Sequence, residues 1–334
     1  MNITINNCPS TLAEGYMTYS DAAAENLFDG GLVSPFLDFD LSDNKISDSV
    51  NAAMHRISVS GVQEKFPAVI RDGKICLAGG DERSTHILKP APWDPSLSFR
   101  KEIPANENLT MQIASQVYGI ATAANGLCFS KDGRAVYVTK RFDVAADGTK
   151  FYMEDFSTLT GRGEKVGGTN FKYDGCYYDI AAALRRVSSD VDSDLERFFK
   201  LLVFNYIYAN GDAHLKNFSM VVGNDGHRRL SPAYDLVNTS LHVNDSDFAL
   251  EGGLSPDLPK SDIYIKYEHP CRLDFEQFGS YIGLKTEVVN NVLDCYKDVP
   301  QLAKSLIESS FLTKKMKRVY LRTVSERVSR FVRR

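Results

Sequence analysis

Three Asp-Gly dipeptides, at Asp72-Gly73, Asp132-Gly133 and Asp147-Gly148, each stand between apolar, β-rich runs in the first half of the chain: PAVIRDGKICLA, LCFSKDGRAVYVTKRFD and VAADGTKFYM. A tight hairpin needs turn residues that reach positive φ, which Asp-Gly does at little cost, so each dipeptide predicts a hairpin. Between the first two lies NENLTMQIASQVYG. Its apolar positions Leu109, Met111, Ile113, Ala114, Val117 and Tyr118 fit a helix with Asn106 as N-cap and Gly119 as its stop. The second half changes period. YYDIAAALRRV and SDLERFFKLLVFNYIYAN read as helices, the latter capped by Ser193. NFSMVVGNDGHRRLSPAYDL reads as one more hairpin, turning at Asn224-Asp225-Gly226. Residues 241–263 form a polar loop and 273–334 return to helical spacing. A sheet-forming half followed by a helix-forming half predicts an α+β chain of two lobes. The 334 residues exceed the ~250–300 at which a single core stops growing.

Composition narrows the class. With 43% hydrophobic and 25% charged residues the chain is globular rather than disordered or fibrous. The sequence holds no run of 18 apolar residues, and its start, MNITINNCPSTLAEGY, has neither a basic nor an apolar targeting region, so neither a membrane span nor a signal peptide is expected. Six scattered cysteines without a CxxC pair predict reduced thiols in a cytoplasmic protein. The net charge of −4 hides an asymmetry: residues 265–334 carry 14 Lys and Arg against 8 Asp and Glu, a net of +6, which leaves −10 for the rest. In the last 21 residues Met316, Val319, Tyr320, Val324, Val328 and Phe331 recur at helical spacing among nine basic residues. That is an amphipathic terminal helix, either docked with a solvated basic face or presented to nucleic acid or an acidic partner.

The densest polar cluster, Asn210-Gly211-Asp212-Ala213-His214-Leu215-Lys216-Asn217, separates an apolar helix from an apolar strand, where an active-site loop belongs. Asp212 and Asn217 keep the Asp-x-x-x-x-Asn spacing of a protein-kinase catalytic loop, in which the Asp accepts the substrate hydroxyl proton and the Asn holds Mg²⁺. Isolated, that spacing is far more often a turn, and only together with Asp235 after a hairpin does the site reading weigh as much. Eighteen residues on, Asp235 lies at the far end of a hairpin that returns the chain to the same place, and its carboxylate suits the hard-oxygen preference of Mg²⁺. Lys89, closing a short apolar run before Pro90, can reach nucleotide phosphates; alone it is more often a surface lysine at a strand end. Glu107 on the following helix could pair with it, or merely complement the helix dipole. SVSGVQEKF, residues 58–66, enters the first hairpin with one glycine, so no Gly-rich or Walker motif is present.

Taken together, Ser-Val-Ser-Gly-Val-Gln-Glu-Lys, His-Ile-Leu-Lys-Pro, Asn-Glu-Asn-Leu-x-Met-x-Ile-Ala, Thr-Lys-Arg-Phe-Asp, Glu-Asp-Phe, Asn-Gly-Asp-Ala-His-Leu-Lys-Asn-Phe-Ser and Pro-Ala-Tyr-Asp-Leu resemble, in order from residue 58 to about 240, the HipA family. These are two-lobed serine/threonine kinases acting as toxins of bacterial toxin–antitoxin modules. The resemblance implies a protein-kinase-like fold: an N-terminal leader over 1–55, a β-rich nucleotide lobe over 56–145 and a helical catalytic lobe over 146–334. It implies ATP and Mg²⁺ as cofactors. Lys89 would bind phosphates, Val59 and Gly61 would belong to the phosphate-covering loop, and Lys140, Arg141 and Phe142 would form the hinge against adenine. Asp212 would be the general base, with His214 and Lys216 positioning and neutralising charge, and Asn217 and Asp235 would hold the metal. Ser58 matches the serine that relatives autophosphorylate, with Ser60 two residues on; two serines and the short segment ahead of them resemble the HipT type, in which a separate small protein (HipS-like) replaces a missing subdomain. The resemblance further implies an aminoacyl-tRNA synthetase as substrate and a helix-turn-helix, HipB-like antitoxin that carries the protein to DNA. A catalytically weak binding module, or a small-molecule kinase sharing the lobes, are the alternatives.

Overall fold

The computed structural model describes residues 4–41, 63–145 and 148–333, so Ser58, Val59, Ser60 and Gly61 lie outside the described residues. The first lobe is a five-stranded antiparallel sheet in the order β2-β1-β3-β5-β4, built from β1 (Phe66–Arg71), β2 (Lys74–Leu77), β3 (His86–Lys89), β4 (Asn125–Phe129) and β5 (Ala135–Lys140). Pairing of Arg71 with Lys74 leaves Asp72-Gly73 as a two-residue turn at φ 47° and 69°, the doubly positive geometry that the dipeptide predicts. The Asp132-Gly133 connection differs. Phe129 pairs with Ala135, the loop is longer, and Gly133 reaches φ 84° while Asp132 does not turn left-handed; its carboxylate instead binds Ser130 and Arg134.

Helix α1 (Asp21–Phe28) belongs to the segment ahead of the sheet. That segment is part of the fold: Leu27, Phe28 and Leu37 share a buried cluster with Phe66, Leu88 and Val138. Asn7 Nδ2 donates to the Ser309 carbonyl at 2.7 Å, tying residues 4–41 to the helical lobe as well.

Helix α2 (Ile103–Gln116) packs on β4 and β5. It starts three residues before the expected cap because Pro104 in its first turn presets helical φ. Asn106 is therefore not an N-cap but a fully buried interior residue, its Nδ2 donating to the Asn238 carbonyl at 2.9 Å. Gly119, at φ 59°, closes the helix as expected.

Residues flanking Gly148 pair through Val144 and Lys150, but β6 (Met153–Asp155) leaves the first sheet and opens a second, β6-β7-β8, with β7 (Ser219–Val222) and β8 (Arg228–Leu230). Short helices α3 (Phe156–Leu159) and α4 (Glu164–Gly167) lead into α5 (Tyr177–Val187) and the central α6 (Val191–Ile207). Asp190, not Ser193, caps α6: its carboxylate accepts from the Ser193 amide, which places Ser193 inside the first turn. Phe198, Phe199, Leu202, Val203, Phe204 and Ile207 are all buried, so α6 is the core of the second lobe.

Helices α7 (Asp262–Tyr267), α8 (Arg272–Tyr281), α9 (Thr286–Asp294), α10 (Gln301–Ser309) and α11 (Lys314–Phe331) complete it. The apolar stripe of α11 is docked: Met316, Tyr320, Val324, Val328 and Phe331 are buried, and the Tyr320 hydroxyl lies 2.9 Å from Thr110 Oγ1 on α2. Arg327 is buried in an ion pair with Asp247, while Lys314, Lys315, Arg318 and Arg322 face outward. No helix among the described residues is long and apolar enough to cross a membrane. All six cysteines are free.

Candidate active site

Strand β3 ends at Lys89, and α2 and the loop after β8 each bring a carboxylate to it. The Lys89 Nζ lies 2.6 Å from Glu107 Oε1 and 2.6 Å from Asp235 Oδ1, and 5.3 Å from the Tyr137 ring centroid. Lys89 and Glu107 are buried. Burial opposes the ammonium of Lys89, but the Asp235 and Glu107 carboxylates outweigh it and hold its pKa above the ordinary lysine value. The two acids divide the cost. Burial dominates at Glu107, whose Oε2 has no hydrogen-bond partner among the described residues, and pushes its pKa up to about 7 against the pull of Lys89. At Asp235 burial is overcome by Lys89 and then Lys65, which hold it well below the usual carboxylate range. Lys65 Nζ stands 3.7 Å from Asp235 Oδ2.

The polar loop is built by the end of α6. Ala209 at φ 54° reverses the chain, Asn210 Nδ2 bonds back to Asn205 Oδ1 at 3.0 Å, and the Gly211 amide donates to Thr239 Oγ1 at 2.9 Å. Leu215–Asn217 is a single 3₁₀ turn in which the His214 amide donates to Asn217 Oδ1 at 3.1 Å. The β7–β8 hairpin then returns to Asp235, which adopts φ 61° while the Tyr234 hydroxyl donates to the Lys216 carbonyl at 2.8 Å. Asn217 Nδ2 reaches Asp235 Oδ2 at 3.2 Å, so the two residues expected to hold a metal are adjacent. One carboxylate and one amide, both hard oxygen donors, fit a Mg²⁺ that completes its shell with waters and phosphates; the amide offers its oxygen once it lets go of the His214 N–H.

Asp212 sits at the rim, its side chain 50% exposed. Its Oδ1 accepts from the Tyr173 hydroxyl at 2.7 Å, and its Oδ2 faces His214 Nε2 at 4.0 Å. Desolvation by the surrounding walls lifts the Asp212 pKa to about 6, against the Tyr173 hydrogen bond. Burial lowers His214 to about 3, so it is neutral at physiological pH and forms no ion pair with Asp212. Lys216 turns its ammonium over the Phe171 ring, 5.8 Å from the centroid, rather than toward Asp212.

The structure thus brings Lys89, Asp212, His214, Asn217 and Asp235 together. Lys140 and Arg141 are placed at the lobe junction with their side chains engaged elsewhere, by Asp29 at 2.5 Å and by Asp143 at 2.6 Å. Their amides donate to the Ala124 and Thr85 carbonyls, which fixes the backbone of the segment. Phe142 packs on Tyr234, ring centroids 5.6 Å apart, next to Asp235. Sequence reasoning passed over Tyr173 and Lys65. Lys65 closes the Gln-Glu-Lys motif and carried that signal; Tyr173, 39 residues before Asp212, carried none. A cleft of about 1070 Å³, lined by Asp245, Glu251, Lys260 and Arg327 among others, opens beside the loop; a Cβ at Gly211 would lie 2.6 Å from the Asp245 carboxylate.

Residues 57–303 match the HipA-like C-terminal domain. "Putative kinase Y4mE" of Sinorhizobium fredii is 33% identical over 55% of this chain and 43% of its own length. A "Putative kinase" of Haemophilus influenzae is 27% identical over 70% of this chain and 69% of its own. The chain spans about half the length of the Sinorhizobium relatives it matches, Y4dM being covered over 48%. Among solved structures, HipA of Shewanella oneidensis, determined with HipB and operator DNA, superposes with a TM-score of 0.63 at 19% identity, covering 83% of this chain and 65% of that one. The Helicobacter pylori proinflammatory kinase CtkA superposes with a TM-score of 0.50 at 13% identity, covering 80% of this chain and 90% of that one. The β-rich and helical lobes thus form a HipA-like kinase fold, and the chain belongs to the HipA-like C-terminal domain family.

Proposed function

We propose that this chain is an ATP- and Mg²⁺-dependent serine/threonine protein kinase and the toxin of a toxin–antitoxin module. The observation that carries this reading is the contact chain Glu107–Lys89–Asp235–Asn217, with Asp212 on the same polar loop as Asn217. Lys89, held by Glu107, would receive the nucleotide phosphates when Asp235 is drawn to the metal, and Asp235 and Asn217 would hold Mg²⁺. That ion supplies charge neutralisation on the transferring phosphoryl group. Phe142 and the carbonyls of Lys140 and Arg141 would face adenine, and Val59 and Gly61 would cover the phosphates. Asp212, ionised above pH 6, would orient the acceptor hydroxyl and take its proton. Neutral His214 would line that position without competing for the carboxylate, and Lys216 would hold the loop through Tyr234 and Phe171. The lobes would divide near residue 145, with 1–55 as a leader.

Ser58 or Ser60 would be the autophosphorylation site, and the added charge would expel the loop from the nucleotide. An aminoacyl-tRNA synthetase would be the substrate in trans. The likeness to a HipA crystallised with HipB and operator DNA supports a helix-turn-helix antitoxin as partner, with DNA reached through it. A HipS-like small protein would be a second partner, and the setting would be the bacterial cytoplasm.

The test is incubation of the full chain with Mg²⁺ and γ-labelled ATP, alone and with cell extract, beside an Asp212→Gln variant. Labelled Ser58 or Ser60 and one labelled protein band, both absent from the variant, are the expected result. No transfer would leave a binding module, and label confined to metabolites would indicate a small-molecule kinase.

A further inference from the structure

The carboxylate of Asp212 is not symmetric in its surroundings. Oδ1 is occupied by the Tyr173 hydroxyl at 2.7 Å. Oδ2 faces His214 Nε2 at 4.0 Å, beyond hydrogen-bond reach. Tyr173 is itself held from several sides. Its ring meets His214 edge-on with centroids 5.3 Å apart, Lys172 lies 4.8 Å over the ring, and its carbonyl accepts from the Glu251 amide at 3.0 Å. It ends the 3₁₀ segment Gly168–Tyr173, which opens on Gly168 at φ 65° and is followed by Gly175 at φ 89°. The same segment places Phe171 against Lys216, so it lies along the catalytic loop at two points.

We infer that Tyr173 is a positioning residue for phosphoryl transfer: its O–H fixes Oδ1 of Asp212 and leaves Oδ2 as the atom that meets the acceptor hydroxyl. This rests on the kinase reading of Asp212. A carboxylate on a rim rotates freely unless one oxygen is tied. Tying it selects the geometry in which the acceptor O–H points at a base and its oxygen at the phosphorus. The acceptor proton moves to Oδ2, the new P–O bond forms at the acceptor oxygen, and the bond to the nucleotide's leaving oxygen breaks. Tyr173 keeps its own proton throughout, because burial and the Asp212 charge raise its pKa far above the working range. The charged and titratable groups facing Asp212 are Tyr173 and Lys172 from this segment, Asp235 from the loop after β8, Asp245 from the cleft loop, and His214 beside it. Tyr173 is the group of this set that hydrogen-bonds the Asp212 side chain among the described residues.

The test compares the full-length wild type with Tyr173→Phe, which keeps the ring on His214, with Mg·ATP and dephosphorylated casein as the acceptor probe, and with Asp212→Asn as the inactive reference. Tyr173→Phe should lower kcat between about threefold and thirtyfold while the KM for ATP stays within about twofold. The acid limb of its pH profile should move to higher pH by about half a unit to one unit, since a donor to the carboxylate has been removed. Unchanged kcat and limb would overturn the inference. A faster Tyr173→Phe enzyme at every pH would also overturn it, and would make Tyr173 a gate occupying the acceptor's place. Wild type no more active than Asp212→Asn would instead remove the kinase reading, and the positioning role with it. That outcome is distinct, because the first two keep wild-type turnover.

Discussion

The ammonium of Lys89 lies 2.6 Å from Oδ1 of Asp235, a residue 146 positions later in the chain, and this contact joins the β-rich lobe to the loop after β8. It forms because β3 ends at Lys89 and the β7–β8 hairpin carries the chain back to Asp235. Replacing Lys89 with Met would strand the buried Glu107 without its cation and Asp235 without its nearest one. Loss of one partner from a buried ion pair costs about 3–5 kcal/mol. Chemical denaturation should show a drop of that order, and calorimetry should show loss of ATP binding. A variant as stable as wild type would mean that the acids relax to solvent.

Gly211 has no room for a side chain. An added Cβ would meet the Asp245 carboxylate at 2.6 Å and the Ser246 carbonyl at 2.8 Å. Gly211→Ala should displace either the catalytic loop or the cleft loop, costing about 1–3 kcal/mol in stability and more than about tenfold in kcat. Gly226, at φ 75° with open space around it, supplies the contrast: Gly226→Ala strains only a remote turn and should leave kcat unchanged.

Phosphoryl transfer should follow the ionisation of Asp212. Desolvation raises its folded pKa to about 6, so the base is protonated below that and free above it. Activity should fall about tenfold per unit below pH 6 and reach a plateau above pH 7. His214, already neutral with its pKa lowered to about 3, adds no second limb in that window. A flat profile from pH 5 to 8 would show that Asp212 does not take the proton.

The two faces of α11 make opposite predictions. Phe331 and Tyr320 are fully buried, so Phe331→Ala should cost about 3–5 kcal/mol and Tyr320→Phe, losing its contact with Thr110, about 1 kcal/mol. Changing the exposed Lys314, Lys315, Arg318 and Arg322 to Gln should alter stability by less than about 0.5 kcal/mol. Thermal unfolding of the two sets separates a docked helix from a free one.

What the sequence disclosed depends on how locally each feature is determined. The Asp72-Gly73 turn is decided by two residues, and it was legible. The Asp212-x₄-Asn217 spacing and Asp235 after a hairpin were legible for the same reason, since the loop and the hairpin that position them are contiguous. Asn106 misled because a capping residue type sits one turn inside a helix whose start Pro104 sets, and its partners Asn238 and His242 are more than a hundred residues away. β6 misled because strand pattern specifies a pleated face but not the neighbour: Met153 pairs with Val221 of the second sheet. Tyr173 and Asp245 reach the 210–217 loop only through tertiary packing, and nothing near them in sequence announces it.

Lys89, Asn217 and Asp235 would together form the Mg·ATP site. Calorimetric titration of ATP into the full chain, with and without Mg²⁺, beside Asp235→Asn, tests it directly. The expected result is binding that requires Mg²⁺ and weakens at least about tenfold in the variant. Equal affinity with and without Mg²⁺, or in wild type and Asp235→Asn alike, would contradict it.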